Sequence, residues 1–175
     1  MLMTPHISIT TAQIGPDDES ILRDFLFHAI FVPDGEKPLD RNVLELPEIS
    51  KYMKNWGRYG DLGLKLLHEN RAVGAIWCRL LPVVDPGYGF VREDIPELTM
   101  AILPEYRNRG LGLRLYRDFG ELLIRHHIRG LSLSVDKRNP ATRFYLRAGF
   151  NVIREEETAF VMIRHLSETY RTDNE

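Results

Sequence analysis

The chain has 175 residues, 43% of them apolar and 27% charged. That suffices for one domain with a proper core and is too short for two, and no apolar run approaches the ~20 residues of a membrane span. The single cysteine, Cys78, excludes an internal disulfide and a cysteine-built metal site.

The net charge of −2 hides an asymmetry. Basic and acidic residues number 10 and 14 over residues 1–96, 11 and 5 over 97–154, and 2 and 6 over 155–175. A basic middle segment suits an anionic ligand. The acidic flanks, with no helix-turn-helix, finger or RNP-like pattern, argue against nucleic acid as the partner. The N-terminus lacks the basic and apolar regions of a secretory signal, so a cytoplasmic protein without membrane attachment is expected.

In chain order, residues 6–12 alternate like a short strand, and Pro16, Asp17, Asp18 and Glu19 supply the start of a helix running to about Phe31. Residues 32–46 hold no sustained period and read as a long loop. A second short helix is predicted over residues 47–56, closed by Gly57. Residues 61–68 and 72–81 then form a β-hairpin around Glu69, Asn70 and Arg71. An irregular loop with Gly87 and Gly89 leads to a strand at 97–103.

A helix over residues 111–127 follows, with Leu111, Leu115, Phe119, Leu122 and Leu123 on its buried stripe. Residues 131–135 alternate as a strand. Asn139 and Pro140 open a short helix that ends at Ala148 and Gly149, and strands are predicted at 150–153 and 159–163. One domain is expected over residues 1–166, with a polar tail over 167–175. No His, Asp and Glu cluster has ligand spacing, so no metal is expected.

Residues 96–113 carry the strongest signal: an apolar strand, then Arg107-Asn108-Arg109-Gly110-Leu111-Gly112, then a helix start. Glycine allows close backbone approach, and the first N–H groups of a helix lack intrahelical partners, so this geometry binds phosphate. It is neither a P-loop nor a dinucleotide fingerprint, because the Gly-Lys-Ser/Thr ending and the third glycine are missing.

R-x-x-G-x-G after an apolar strand, followed by N-P-A-T-R-F-Y-L-R-A-G-F at 139–150, resembles the GNAT superfamily of acetyl-CoA-dependent N-acetyltransferases. The resemblance implies an α/β (α+β) fold: a mixed, mostly antiparallel, twisted sheet of six or seven strands with helices on both faces. It implies acetyl-CoA as co-substrate, with Arg107, Asn108, Arg109, Gly110, Leu111, Gly112 and Leu113 around the pyrophosphate. Met100, Ala101 and Ile102 would align the thioester, and Asn139 would touch the cofactor arm. Lys137 or Arg138 is the candidate for the 3′-phosphate.

By the same resemblance Tyr145 is similar to the acid that protonates the leaving thiolate, a role a phenol can fill. The alternative is a tyrosine that only packs its helix. Glu97 is the candidate base for the attacking amine, against a solvated glutamate or one that only attracts the amine. His28 and Asp34 are candidate acceptor contacts, whereas His68 reads as an ordinary strand residue. Of Phe31, Tyr52, Trp56, Tyr59, Trp77 and Tyr88, most are expected in the core and one or two in the acceptor pocket.

The function so implied is direct acetyl transfer to a primary amine, small-molecule or peptide, without a cysteine intermediate. Transfer of another acyl group, and a non-catalytic acyl-CoA-binding module, are the rival readings. A homodimer stays open.

Overall fold

The computed structural model describes residues 8–166. The predicted strand positions His6 and Ile7 and the polar tail lie outside the described residues. The elements are β1 (Ile9–Gln13), α1 (Glu19–Ala29), α2 (Pro47–Ser50), β2 (Leu62–His68), β3 (Arg71–Arg79), β4 (Glu97–Ile102), α3 (Leu111–Arg125), β5 (Gly130–Asp136), α4 (Ala141–Arg147), β6 (Asn151–Glu155) and β7 (Ala159–His165). Seven strands form one sheet in the order β1-β2-β3-β4-β5-β7-β6. Every pairing is antiparallel except β4 with β5.

The hairpin β2–β3 closes on Glu69 and Asn70, both with positive φ (49° and 66°), between the paired residues His68 and Arg71. That backbone matches the twist of the flanking strands and is one that asparagine tolerates. β3 is buried along nearly its whole length, including Val73, Ile76, Trp77 and Cys78, as expected of a central strand covered on both faces.

Helices lie on both faces, and side-chain direction on β4 tells which. Gly112, in the first turn of α3, stands against Met100 Cε and Ile102 Cγ1, so α3 covers the even-numbered face of β4. Of its predicted stripe, Leu115, Phe119, Leu122 and Leu123 are buried, joined by Tyr116, while Leu111, in the first turn, is only half-buried against the core. Tyr52 donates to Glu97, and Arg79, the partner of Glu97 on β3, reaches Lys51 O and Lys54 O. The 47–57 segment therefore covers the odd-numbered face.

That segment corrects one expectation. The helix predicted over residues 47–56 is a single turn, Pro47–Ser50, followed by tighter turns in which Tyr52 N–H bonds Ile49 O and Met53 N–H bonds Ser50 O. The cause lies in the sheet: the Arg79 guanidinium takes the carbonyls of Lys51, Lys54 and Asn55, and Asn55 turns to φ 56°. Arg79 is also held at two points by the Asp61 carboxylate, at 2.8 and 2.7 Å. Both side chains are 1% exposed. The long loop over residues 32–46 is likewise interrupted, by a 3₁₀ turn at Arg41–Glu45 in which the Asp40 carboxylate accepts from Asn42 N–H and Leu44 is buried.

Breaking a buried pair by removing one partner leaves the other charge unpaired, at a cost of about 3–5 kcal/mol. Asp61→Ala is therefore expected to lower the unfolding free energy by about that amount, read by urea denaturation. A loss below about 1 kcal/mol would show the pair to be no more than a surface ion pair.

Candidate active site

The parallel neighbours β4 and β5 are joined by one register pair, Glu97 with Ser132, and by the bond from Ser132 N–H to Pro96 O. Beyond that rung the strands part. Leu103 N–H bonds Val73 O, so alternation turns the main-chain groups of Met100 and Ile102 away from β3 and into the opening. The result is a cleft of about 1930 Å³ that passes between the strands. A drug-sized ligand pocket takes about 300–1,000 Å³, so this one has room for two reactants.

At one end of the cleft lies the predicted anion cradle. Asn108 (φ 57°) and Gly110 (φ 74°) are left-handed, and Gly110 caps α3. The first α3 bond is Arg114 N–H to Gly110 O, so the N–H groups of Asn108, Arg109, Gly110, Leu111, Gly112 and Leu113 have no hydrogen-bond partner among the described residues. Six consecutive free donors, backed by the positive end of a helix dipole, form an anion site. A side chain at Gly112 would crowd Met100, keeping the cradle close to the strand.

Side chains sort differently from their backbones. Met100, Ala101, Ile102, Arg107, Asn108, Gly110, Gly112, Leu113, Asn139, Glu97 and Tyr145 all line the cleft. Arg109 and Leu111 do not: Arg109 stacks over the Tyr106 ring and Leu111 packs on the core, so only their main chain faces the site. Arg107 Nε donates to Ile102 O at 2.9 Å, tying the loop back to β4. Asn139 Oδ1 accepts from Ala141 N–H, capping α4. Lys137 and Arg138 turn elsewhere, to Glu155 and to Asp136 and Glu36. The structure thus does not bring either of them to the cleft.

Tyr145 lies on α4 in edge contact with Phe144 and Phe150. Burial, with Tyr116 nearby, pushes its phenol up to about 12. The hydroxyl has no partner among the described residues, so the proton stays on the oxygen and is available to a base in the cleft. Beside it, Arg164 Nη1 donates to the Tyr116 hydroxyl at 2.6 Å and also lines the cleft.

Glu97 stands at the opposite end and is 2% exposed, which removes the solvated alternative. Its Oε1 accepts from Tyr52 OH at 3.0 Å and from Gly89 N–H at 2.7 Å. The Tyr52 hydroxyl itself accepts from Tyr88 N–H at 2.8 Å. Burial raises the Glu97 carboxyl above its ordinary value against these donors, and burial with the adjacent carboxylate raises the Tyr52 phenol. The loop over this carboxylate has to be glycine at two places. A Cβ at Gly87 would collide with Glu97 and Tyr52, and one at Gly89 with the Leu133 backbone.

His28 and Asp34 line the cleft, as does half-exposed Tyr88. Burial and the Arg107 charge lower the His28 imidazole, leaving it neutral near pH 7. Tyr52, Trp56 and Trp77 are core residues, whereas Tyr59 is fully open to solvent. His68 Nδ1 is bonded to the Tyr106 hydroxyl. Sequence reading missed the Tyr52–Glu97 bond and the wall of Tyr116 and Arg164. The signal for the first was Gly87-Tyr88-Gly89, two glycines spaced around an aromatic.

A carboxyl raised by the fold holds its proton more tightly folded than unfolded. The associated stability is full below the ordinary glutamate value of about 4.3 and is lost as pH rises through the folded value. Glu97→Gln does not titrate and is expected to gain melting temperature on the wild type between about pH 4 and about pH 8. A difference independent of pH would contradict the raised carboxyl.

The pattern of the Acetyltransferase (GNAT) family matches residues 27–150. No curated protein matches the chain. Among solved structures, the PaiA N-acetyltransferase of Thermoplasma acidophilum, in complex with coenzyme A, is similar at 19% identity and a TM-score of 0.64, over 91% of this chain and 99% of that one. The ribosomal-protein-S18-alanine N-acetyltransferase of Escherichia coli is similar at 17% identity and 0.62, over 91% and 95%. A GNAT-family acetyltransferase of Staphylococcus aureus Mu50 gives 17% and 0.65, over 91% and 100%. At such identities the structural likeness speaks for the fold. Together with the match over most of the sequence, it shows that the chain belongs to the GNAT acetyltransferase family.

Proposed function

We propose that the protein transfers the acetyl group of acetyl-CoA to a primary amine by direct attack while both are bound. The observation that carries this is the meeting, in one cleft, of six free main-chain donors at α3 with the unpaired inner edge of β4. The first suits a pyrophosphate and the second an extended amide chain. A relative of the same fold, the Thermoplasma enzyme, is described in complex with coenzyme A.

Acetyl-CoA supplies an activated thioester, and the chain's residues do the rest. Residues 108–113 fix the pyrophosphate through their N–H groups. Met100 N–H, facing the opening, is placed to stabilise charge that develops on the thioester carbonyl oxygen. Glu97, with its raised carboxyl, takes the proton that a protonated amine must lose before it attacks. Tyr145 returns a proton to the departing thiolate.

Cys78 is fully buried and burial raises its thiol, so it is unsuited to an acyl-cysteine route. A small-molecule amine and a peptide N-terminus both fit the acceptor class. The Escherichia coli relative is described as acting on an alanine of a ribosomal protein. The single, buried thiol suits a reducing cytoplasm.

Tyr145→Phe is expected to lower kcat about 100-fold while leaving the Kd for acetyl-CoA within about twofold, by CoA release and calorimetry. Acetyl-CoA binding without turnover on any amine, unaltered by this change, would favour a non-catalytic acyl-CoA-binding module. Gly110→Val places a β-branched residue at φ 74° and is expected to weaken acetyl-CoA binding at least about tenfold. Unchanged affinity would remove the cradle from the binding site.

A further inference from the structure

β4 and β5 share one register pair, Glu97 with Ser132. Side chains alternate along a strand, so the residues two positions further on return to the same face. On β4 that residue is Thr99 and on β5 it is Ser134. They stand on opposite banks of the opening, just beyond the last rung, on the face that carries Glu97. Both line the cleft and are half-buried, and neither hydroxyl has a hydrogen-bond partner among the described residues.

The neighbouring groups on this face are engaged or out of reach. Glu97 accepts from Tyr52 OH and Gly89 N–H, and Ser132 is fully buried and does not line the cleft. Two residues past Ser134, Asp136 is bound through both oxygens by Arg138. Two residues past Thr99 stands apolar Ala101. Thr99 also directly precedes Met100, whose N–H faces the opening. The anion cradle lies on the other face, where Gly112 stands against Met100 and Ile102. The two hydroxyls therefore flank the opening on the side away from the cradle.

We propose that Thr99 Oγ1 and Ser134 Oγ hold the acceptor nitrogen by its two N–H groups and so select an unsubstituted primary amine. The inference rests on the reading of direct attack in the cleft. A neutral primary amine has four directions: its carbon, two hydrogens and a lone pair. A hydroxyl oxygen accepts as well as donates, so each bank can take one hydrogen. The carbon then turns outward, toward Ile49 and Tyr88 in the cleft wall. The lone pair is left pointing into the opening, at the thioester carbonyl, which is the orientation attack requires.

The same arrangement works against a secondary amine. An N-methyl group replaces one of the two hydrogens, leaves one hydroxyl unbonded and presses a methyl group against it. A site built to hydrogen-bond a substrate N–H rejects the analogue that lacks it far more strongly than an apolar pocket does. Thr99 and Ser134 are thus specificity-determining residues, and both touch the acceptor.

The test uses the full chain with acetyl-CoA and matched pairs of acceptors: butylamine, benzylamine, 2-phenylethylamine and a peptide with a free N-terminus, each beside its N-methyl counterpart, with CoA release as the readout. The wild type is expected to favour the primary member by about tenfold or more in kcat/KM. Ser134→Ala, which makes room for a methyl group, and Thr99→Val, which keeps the shape without the hydroxyl, are each expected to cut that ratio at least about threefold, with the Kd for acetyl-CoA unchanged. Thr99→Ser keeps the hydroxyl and is expected to restore the ratio. A loss of packing alone would lower both members of a pair alike.

A smaller preference in the wild type, or a smaller change of the ratio in both variants, would overturn the proposal. If Tyr145→Phe slows transfer while Ser134→Ala and Thr99→Val keep the wild-type rate and ratio, the hydroxyl pair falls and direct transfer stands. If no amine of either kind is acetylated, direct transfer falls and the selection by Thr99 and Ser134 falls with it.

Discussion

One buried ion pair fixes half of the cleft. Arg79 enters the sheet among apolar neighbours, and the desolvation of its guanidinium is offset by the Asp61 carboxylate and three main-chain carbonyls. Those carbonyls belong to the segment that carries Tyr52. Tyr52 in turn holds Oε1 of Glu97 and the main chain of Tyr88. The acceptor end is therefore built outward from a charge inside the sheet. Its geometry is set by a network whose members cannot be lost singly without exposing another buried polar group.

The other half of the cleft is a backbone construction. The phosphate cradle consists of N–H groups, and the thioester-facing edge is the unpaired side of β4. Side chains serve mainly to hold that backbone in place, as Arg107 does by reaching Ile102 O and Asn139 by capping α4. This division explains why Arg109 and Leu111 belong to the motif although their side chains face away. The motif specifies a chain path, and only Asn108 and Gly110 are needed for its left-handed turns.

The same division marks what the sequence discloses. The glycine loop, the α3 stripe and the Asn139-Pro140 helix start are local patterns, and each lies where its pattern predicts. The helix over residues 47–56 was over-read because the residue that shortens it, Arg79, lies more than twenty positions downstream on another element. A local period cannot register a distant guanidinium. Glu97 was legible as a candidate from the family pattern, but its burial and its two donors depend on the fold of residues 52 and 87–89.

The single rung between β4 and β5 also bears on how the molecule comes apart. A sheet usually owes its cooperativity to continuous ladders, and here the ladder is interrupted between β1–β4 and β5–β7. The two parts share one rung, the Gly89 contact on Leu133 and the hydrophobic core that runs beneath both through α3. A ligand lying along both inner edges would act as the missing strand. Its occupancy would then govern whether the domain unfolds in one transition or opens first along that seam.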